Sequence, residues 1–205
     1  MNIEIRNGGE LGNWMWPSDD KGAWQWLLYE SKLPERILAH VTNFDTCIHA
    51  GAHCGFYAKQ YAYKFRHVFA VEPQCRNFYC LTHNVPEVNV VKIQACLSNV
   101  RQMVSLYTDD YTNSGGYYVT PGDDFLCIKM DDLVGKVGLI HLDVEGHEEF
   151  ALQGGQRILA EHHPVVVLET IPNYDYKPAE NYLKKFGYEV AESLEHDKIY
   201  KVPNA

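Results

Sequence analysis

Apolar residues in this chain come in short runs, and stretches of helical character separate them. Phe44–Ala50 reads as a buried strand and Cys54–Phe65 as a helix. His67–Val71 predicts a second strand, Gln74–Asn84 a second helix and Val88–Gln94 a third strand. Val137–Asp143 predicts a fourth strand, followed by a helix over His147–Leu159. Val165–Glu169, nearly all β-branched residues and leucine, predicts a fifth. Pro178–Phe186 reads as helix, and Tyr188–Leu194 with Lys198–Val202 as a closing antiparallel pair. Strands that alternate with helices predict a parallel sheet covered on both faces.

Two segments stand outside this alternation. Asn13–Glu30 holds all four tryptophans, and Pro17-Ser18-Asp19-Asp20 supplies a turn before a predicted helix over Lys21–Glu30. These tryptophans either pack that helix on the core or form a lid over a pocket. Asn99–Asp124 is a polar insert in which TNSGGYYVT predicts a turn between two short strands, near the mouth of any pocket. The expected organisation is a single domain, residues 1–205, with an N-terminal helical cap segment at 1–43 and a hairpin insert at 99–124.

Composition narrows the class. The chain has 205 residues, 46% hydrophobic and 22% charged, an ordinary globular balance. A formal net charge of -9 argues against coating nucleic acid or anionic membrane. No apolar run is long enough to span a bilayer, and the N-terminal residues lack the apolar core of a signal peptide. A cytoplasmic location is therefore expected. The six cysteines are scattered without a C-x-x-C pair and read as reduced core thiols rather than a zinc site.

Candidate chemistry gathers at the ends of predicted strands. TCIHAGAHCGFY carries a small-residue turn, Gly51 to Gly55, from the first strand into a helix. Such a turn brings ligand close to backbone and opens on a helix N-terminus. The second strand ends at Glu72, 21 residues after Gly51, where a carboxylate accepts hydrogen bonds from ribose hydroxyls. A ribose partner without the G-x-G-x-x-G pyrophosphate fingerprint favours S-adenosylmethionine over a nicotinamide cofactor. HLDVEGHEEF places Asp143, Glu145 and His147 around the end of the fourth strand, and Glu169 ends the fifth.

Taken in order, HAGAHCGF, VFAVEP with Asn84 downstream, QACLSN, IKMDDL, HLDVEGHEEFALQGG, PVVVLE and FGYEV resemble the FkbM family of S-adenosylmethionine-dependent methyltransferases, over about residues 44–190. The resemblance implies a class I (Rossmann-like) methyltransferase fold, α/β, with a seven-stranded, mostly parallel sheet, helices on both faces and one antiparallel strand. It implies O-methylation of a small polar acceptor such as a sugar or natural product. Gly51, Ala52, Gly55 and Glu72 would hold the cofactor. Asp143 and Glu145 would face the reaction centre, Asp143 also touching the cofactor. Two positions depart from the pattern: His49 stands where the family usually has aspartate, and His141 where it usually has lysine. Each lies two residues before its strand-end landmark, so the two are expected to touch across neighbouring strands and to replace a buried acid–base pair by a neutral one.

Aromatic faces favour a sulfonium, which makes Phe56 or Tyr57 a cofactor contact. Methyl transfer to a hydroxyl also needs a base; His147, with a pKa near neutrality beside the acidic loop, is the first choice, and Asp143 or Glu145 the alternatives. These carboxylates with Glu169 could hold a divalent cation, but no residue is assigned as a metal ligand. A non-catalytic binding or scaffold protein that keeps the fold is the alternative reading.

Overall fold

The runs TCIHA at 46–50, VGLIHL at 137–142 and VVVLE at 165–169 are buried along almost their whole length. Strands apolar on both faces belong in the middle of a parallel sheet, and that is where they lie. The computed structural model describes residues 2–29, 31–170 and 175–203. In chain order the elements are β1 (Ile3–Asn7), β2 (Asn13–Pro17), α1 (Ala23–Tyr29), α2 (Leu33–Leu38), β3 (Thr46–Ala50), α3 (Phe56–Ala62), β4 (His67–Val71), α4 (Cys75–Asn84) and β5 (Val90–Ile93). There follow β6 (Cys96–Leu97), β7 (Met103–Tyr107), β8 (Tyr118–Pro121), β9 (Phe125–Ile128), β10 (Val137–Leu142), α5 (Glu148–Gln153), α6 (Gln156–His162), β11 (Val165–Glu169), α7 (Lys177–Lys184), β12 (Glu189–Ser193) and β13 (Asp197–Lys201).

The main sheet has seven strands in the order β12-β13-β11-β10-β3-β4-β5. All neighbours are parallel except at β13, which runs against both β11 and β12. Successive side chains leave a strand on opposite faces, so each face has its own core. Ile48, Phe69, Val71, Ile140, Leu142 and Leu168 pack under α5, α6 and α7. Cys47, Val68, Ala70, Leu139 and Val167 pack under α2, α3 and α4. The strand order reverses between β3 and β10, which opens a crevice beyond their carboxyl ends.

The elements outside the main sheet differ from expectation. The insert forms the expected hairpin, β7 with β8, but β9 and β6 extend it to four strands. The segment expected to be a helical cap begins instead with a hairpin, in which Asn13–Pro17 is a strand paired with β1. Tertiary contacts settle this: Asn84 Nδ2 donates to Met15 O and Met15 N donates to Asn84 Oδ1. The predicted helix at Lys21–Glu30 is α1; its last predicted residue, Glu30, lies outside the described residues. The predicted helix at His147–Leu159 is two helices that meet at Gly154 and Gly155. A Cβ on Gly154 would fall 2.1 Å from Ser98 O, and one on Gly155 2.8 Å from Met130 Sδ, so the bend forms where two glycines let the Ser98 backbone and the Met130 side chain come close. Five cysteines are buried, as core thiols should be, but Cys75 is exposed. Among the described residues no helix is long and apolar enough to cross a membrane.

Candidate functional site

The crevice is a cavity of about 600 Å³, a volume suited to a cofactor-sized ligand. Of the residues expected at the site, Gly51, Ala52, Phe56, Glu72, Asp143, Glu145 and His147 line it, and Gly55 does not. Gly55 is the left-handed residue that starts α3 (φ 98°). A Cβ there would lie 2.5 Å from Val85 and 2.8 Å from Leu81, so this glycine lets α3 pack on α4. Gly51 is required for another reason. Its φ is 76°, and a Cβ would come within 1.7 Å of Asp143 O, so β3 and β10 leave the sheet in backbone contact. The amides of Gly51 and Ala52 both donate to Val71 O, at 3.0 and 3.1 Å. These two amides brace the turn on β4, and the cavity meets the turn through the rest of its small residues.

Glu72 follows β4 and is 5% exposed. His53 N donates to its Oε2 and Gln74 N to its Oε1, each at 2.8 Å. Burial pushes its pKa up to about 7, with the two amides partly offsetting the desolvation. The amides fix the carboxylate at the lip with further lone pairs available to hydroxyl donors.

A buried polar hub joins this lip to the cap. Ser114, from the β7–β8 loop, contacts His53 Nε2 through its hydroxyl at 2.8 Å. Ser114 O accepts from Asn77 Nδ2 at 2.8 Å, and Ser114 N donates to Asp20 Oδ1 at 2.8 Å. Asp20 also accepts from Trp16 Nε1 and from Trp24 N, which caps α1. Burial opposes ionisation of Asp20, but the hydrogen bonds from Ser114, Trp16 and Trp24 prevail and hold its pKa below the usual value. The insert and the N-terminal segment are thereby fastened over the crevice. Trp16, Trp26 and Leu27 reach it from one side, and Tyr117 and Tyr118 from the other. The tryptophans divide between the two expected places, though not all on the helix: Trp14 and Trp16, on β2, join the core, and Trp16 and Trp26 line the pocket.

The opposite wall is acidic. Carboxylate oxygens of Asp143, Glu145 and Glu169 lie within 4.8 Å of one another, a spacing at which one cation could be held. Burial and the neighbouring Glu169 and Glu145 charges drive the Asp143 pKa well up. Burial, then Glu145 and Asp197, push Glu169 up to about 9. Asp143 and Glu169 lie close enough for their titrations to be coupled, so that ionising one raises the cost of ionising the other. Glu145 adopts a left-handed backbone (φ 52°), which a residue with a Cβ tolerates at some cost. Glu148 holds that loop, accepting from Val144 N at 3.2 Å and Gly146 N at 3.4 Å. The second glutamate of the D-x-E-G-x-E pattern therefore shapes the loop. His147 stacks on Phe150 at 4.8 Å, and its Nε2 lies 3.2 Å from Ser98 Oγ. Burial lowers its pKa, leaving a neutral imidazole at pH 7.

His49 and His141 touch as expected. They are in register on β3 and β10, and their rings stack at 4.8 Å. Burial lowers both pKa values, His141 to about 3, so the pair is neutral. Tyr61 Oη lies 2.9 Å from His141 Nδ1, whereas neither nitrogen of His49 has a hydrogen-bond partner among the described residues. His141 reaches the cavity. So do His196 and Asp197, which the sequence reading missed. Asp197 starts β13 and pairs with Glu169 across the sheet. Because β13 is antiparallel, its beginning lies at the same edge as the other strands' ends.

Comparison with known proteins agrees with this architecture. The family model described as Methyltransferase FkbM domain matches residues 123–190, from the start of β9 into β12. No curated protein matches the chain in sequence. A methyltransferase FkbM from Methylobacillus flagellatus KT superimposes with a TM-score of 0.54 at 15% identity, over 87% of this chain and 53% of that one. This chain thus spans about half the length of that protein. TYW2 of M. jannaschii, solved with AdoMet, gives 0.53 at 12% identity, over 98% of this chain and 84% of that one. Sp1610 of Streptococcus pneumoniae, proposed to be a tRNA (m1A22) methyltransferase, gives 0.50 at 12% identity, over 83% and 68%. With such a protein among its neighbours, the fold lends no support to the expectation that nucleic acid is excluded as a partner. Its strand order is that of the class I methyltransferases, and in its match to the family model, its acidic loop and its fold this chain is similar to the FkbM methyltransferases.

Proposed function

We propose that the protein is an S-adenosylmethionine-dependent methyltransferase that methylates a hydroxyl of a small polar acceptor, such as a sugar or natural product. One observation carries the reading: Glu72, held by two backbone amides, lines the same cavity as the Gly51 turn and the Asp143 wall. A carboxylate fixed in this way suits the two hydroxyls of a ribose, and the acidic wall suits a positively charged sulfur. When bound, the cofactor supplies an electrophilic methyl group that passes from sulfur to the acceptor oxygen.

The chain's own residues then have three tasks. Glu72 and the Gly51–Ala52 turn grip the adenosyl part, with Phe56 as an apolar wall. Asp143 and Glu145 offset positive charge near the methyl group. His147, neutral at pH 7, takes the acceptor's hydroxyl proton; in the tautomer whose Nε2 donates to Ser98 Oγ, Nδ1 is the accepting nitrogen. Incubation with S-adenosylmethionine and a panel of sugars, read by release of the demethylated cofactor, tests the reading. Turnover should appear with at least one neutral or amino sugar. His147→Ala should lower kcat by about 100-fold or more with little change in KM. Undiminished turnover would place the base elsewhere.

The non-catalytic alternative has one observation in its favour. Beneath the crevice, with His141 lining it, lies a neutral histidine pair where the family resemblance implies aspartate and lysine. Binding of the cofactor without turnover on any acceptor would support it.

A further inference from the structure

The cavity wall is lopsided in charge. Glu72 lies at one lip, Asp109 and Asp110 on the insert loop, and Asp143, Glu145, Glu169 and Asp197 along the sheet edge. Among the described residues no lysine or arginine lines it. Composition does not explain this, because the chain carries 18 Lys and Arg beside its 27 Asp and Glu. Basic groups are engaged elsewhere: Lys198 on Glu180 at 2.9 Å and Arg76 on Asp19 at 2.7 Å.

S-adenosylmethionine has a sulfonium, an ammonium and a carboxylate, a net charge of about one positive unit. With Glu72 given to the ribose, six carboxyl groups face that single positive charge and the acceptor, and those that hold protons in the empty cavity can release them to a cation. An acidic, partly enclosed cavity focuses a negative potential on whatever enters. A phosphate or carboxylate on the acceptor would be repelled. A protonated amine would be attracted, and it would relieve the crowding of acids at the sheet edge. The rim adds a second preference for positive charge. Trp26 is half-exposed and packs edge-on to His196 at 5.0 Å, and Tyr117 and Tyr118 face the cavity from the insert. Aromatic faces attract cations and also stack on sugar rings.

We propose that the acceptor is a polyhydroxylated molecule bearing a basic amine and no acidic group, an amino sugar in chemical class, seated between the acidic sheet edge and the aromatic rim. This rests on the methyltransferase reading of the cavity. The amine is the recognition group, and the methyl goes to a neighbouring hydroxyl.

The test uses the full chain saturated with S-adenosylhomocysteine, which blocks turnover, and three ring-matched probes followed by calorimetry and saturation-transfer NMR. Glucosamine should bind at least about tenfold tighter than N-acetylglucosamine, and glucuronate should not bind. The advantage of glucosamine should shrink as salt rises. Asp197→Asn should remove most of it, and Asp109→Asn, on the insert loop, should reduce it without touching the sheet. Magnesium ion alone forms a further arm, since a metal answers the same charge. Equal or tighter binding of N-acetylglucosamine, any binding of glucuronate, absence of glucosamine binding, or displacement of glucosamine by low magnesium would overturn the proposal. Failure of S-adenosylhomocysteine itself to bind would instead strike the methyltransferase reading.

Discussion

Glu72 and Glu169 end or follow parallel strands at the same edge of one sheet, and both are carboxylates withdrawn from water. Their surroundings differ. Glu72 accepts hydrogen bonds from two backbone amides and its pKa rises only to about 7. Glu169 faces Asp143, Glu145 and Asp197 and rises to about 9. Desolvation is the largest cause in both; what decides the outcome is whether donors or like charges fill the remaining space. One carboxylate is fixed and ready to accept hydroxyl hydrogen bonds. The other belongs to a group that holds protons until a cation arrives.

The sharpest way to separate the two is the same substitution at each. Glu72→Gln should lower stability by about 1–3 kcal/mol, because the new amide NH2 meets one of the two backbone N–H groups. Glu169→Gln should raise stability at pH 8 by about 1 kcal/mol or more, because the wild-type carboxyl, ionised in the unfolded chain, must take up a proton on folding and the amide need not. Urea denaturation of both variants would show it; two losses of equal size would break the contrast. A raised carboxylate pKa stabilises the fold fully below the unfolded value and loses that contribution as pH rises through the folded value. Wild-type stability should therefore fall between about pH 4.5 and 9 on account of Glu169, and Glu169→Gln should flatten that slope.

A smaller effect is non-additivity. Asp143→Asn and Glu169→Gln remove the two members of one coupled pair, so the double variant should gain little over either single one. Additive gains would mean two independent acids. Smallest is Glu145→Gly, which relieves the left-handed strain and should change thermal stability by no more than about 1 kcal/mol upward while weakening cofactor binding.

The seven-stranded core was legible because its central strands are buried on both faces, and TCIHA and VVVLE have no other plausible setting. The β1–β2 hairpin was not legible. IEIRN is short and half polar, and its pairing depends on Asn84, about 70 positions away from the strand it holds. At the site, Glu72, Asp143 and Glu145 were legible because strand ends are where ligands sit. Asp197 was not, because only the antiparallel sense of β13 brings a strand's beginning to that edge. Gly55 misled the reading because a glycine that admits a neighbouring helix looks, in sequence, like one that admits a ligand.

The central claim is that Glu72 grips the ribose of an adenosyl cofactor, and calorimetry with S-adenosylhomocysteine on wild type and Glu72→Ala tests it most directly. The account predicts binding to wild type that strengthens as pH rises through about 7, when Glu72 ionises. It predicts a dissociation constant at least about 30-fold weaker in the variant with the circular dichroism unchanged. Equal affinity in the two proteins, or no heat from wild type at all, would contradict it.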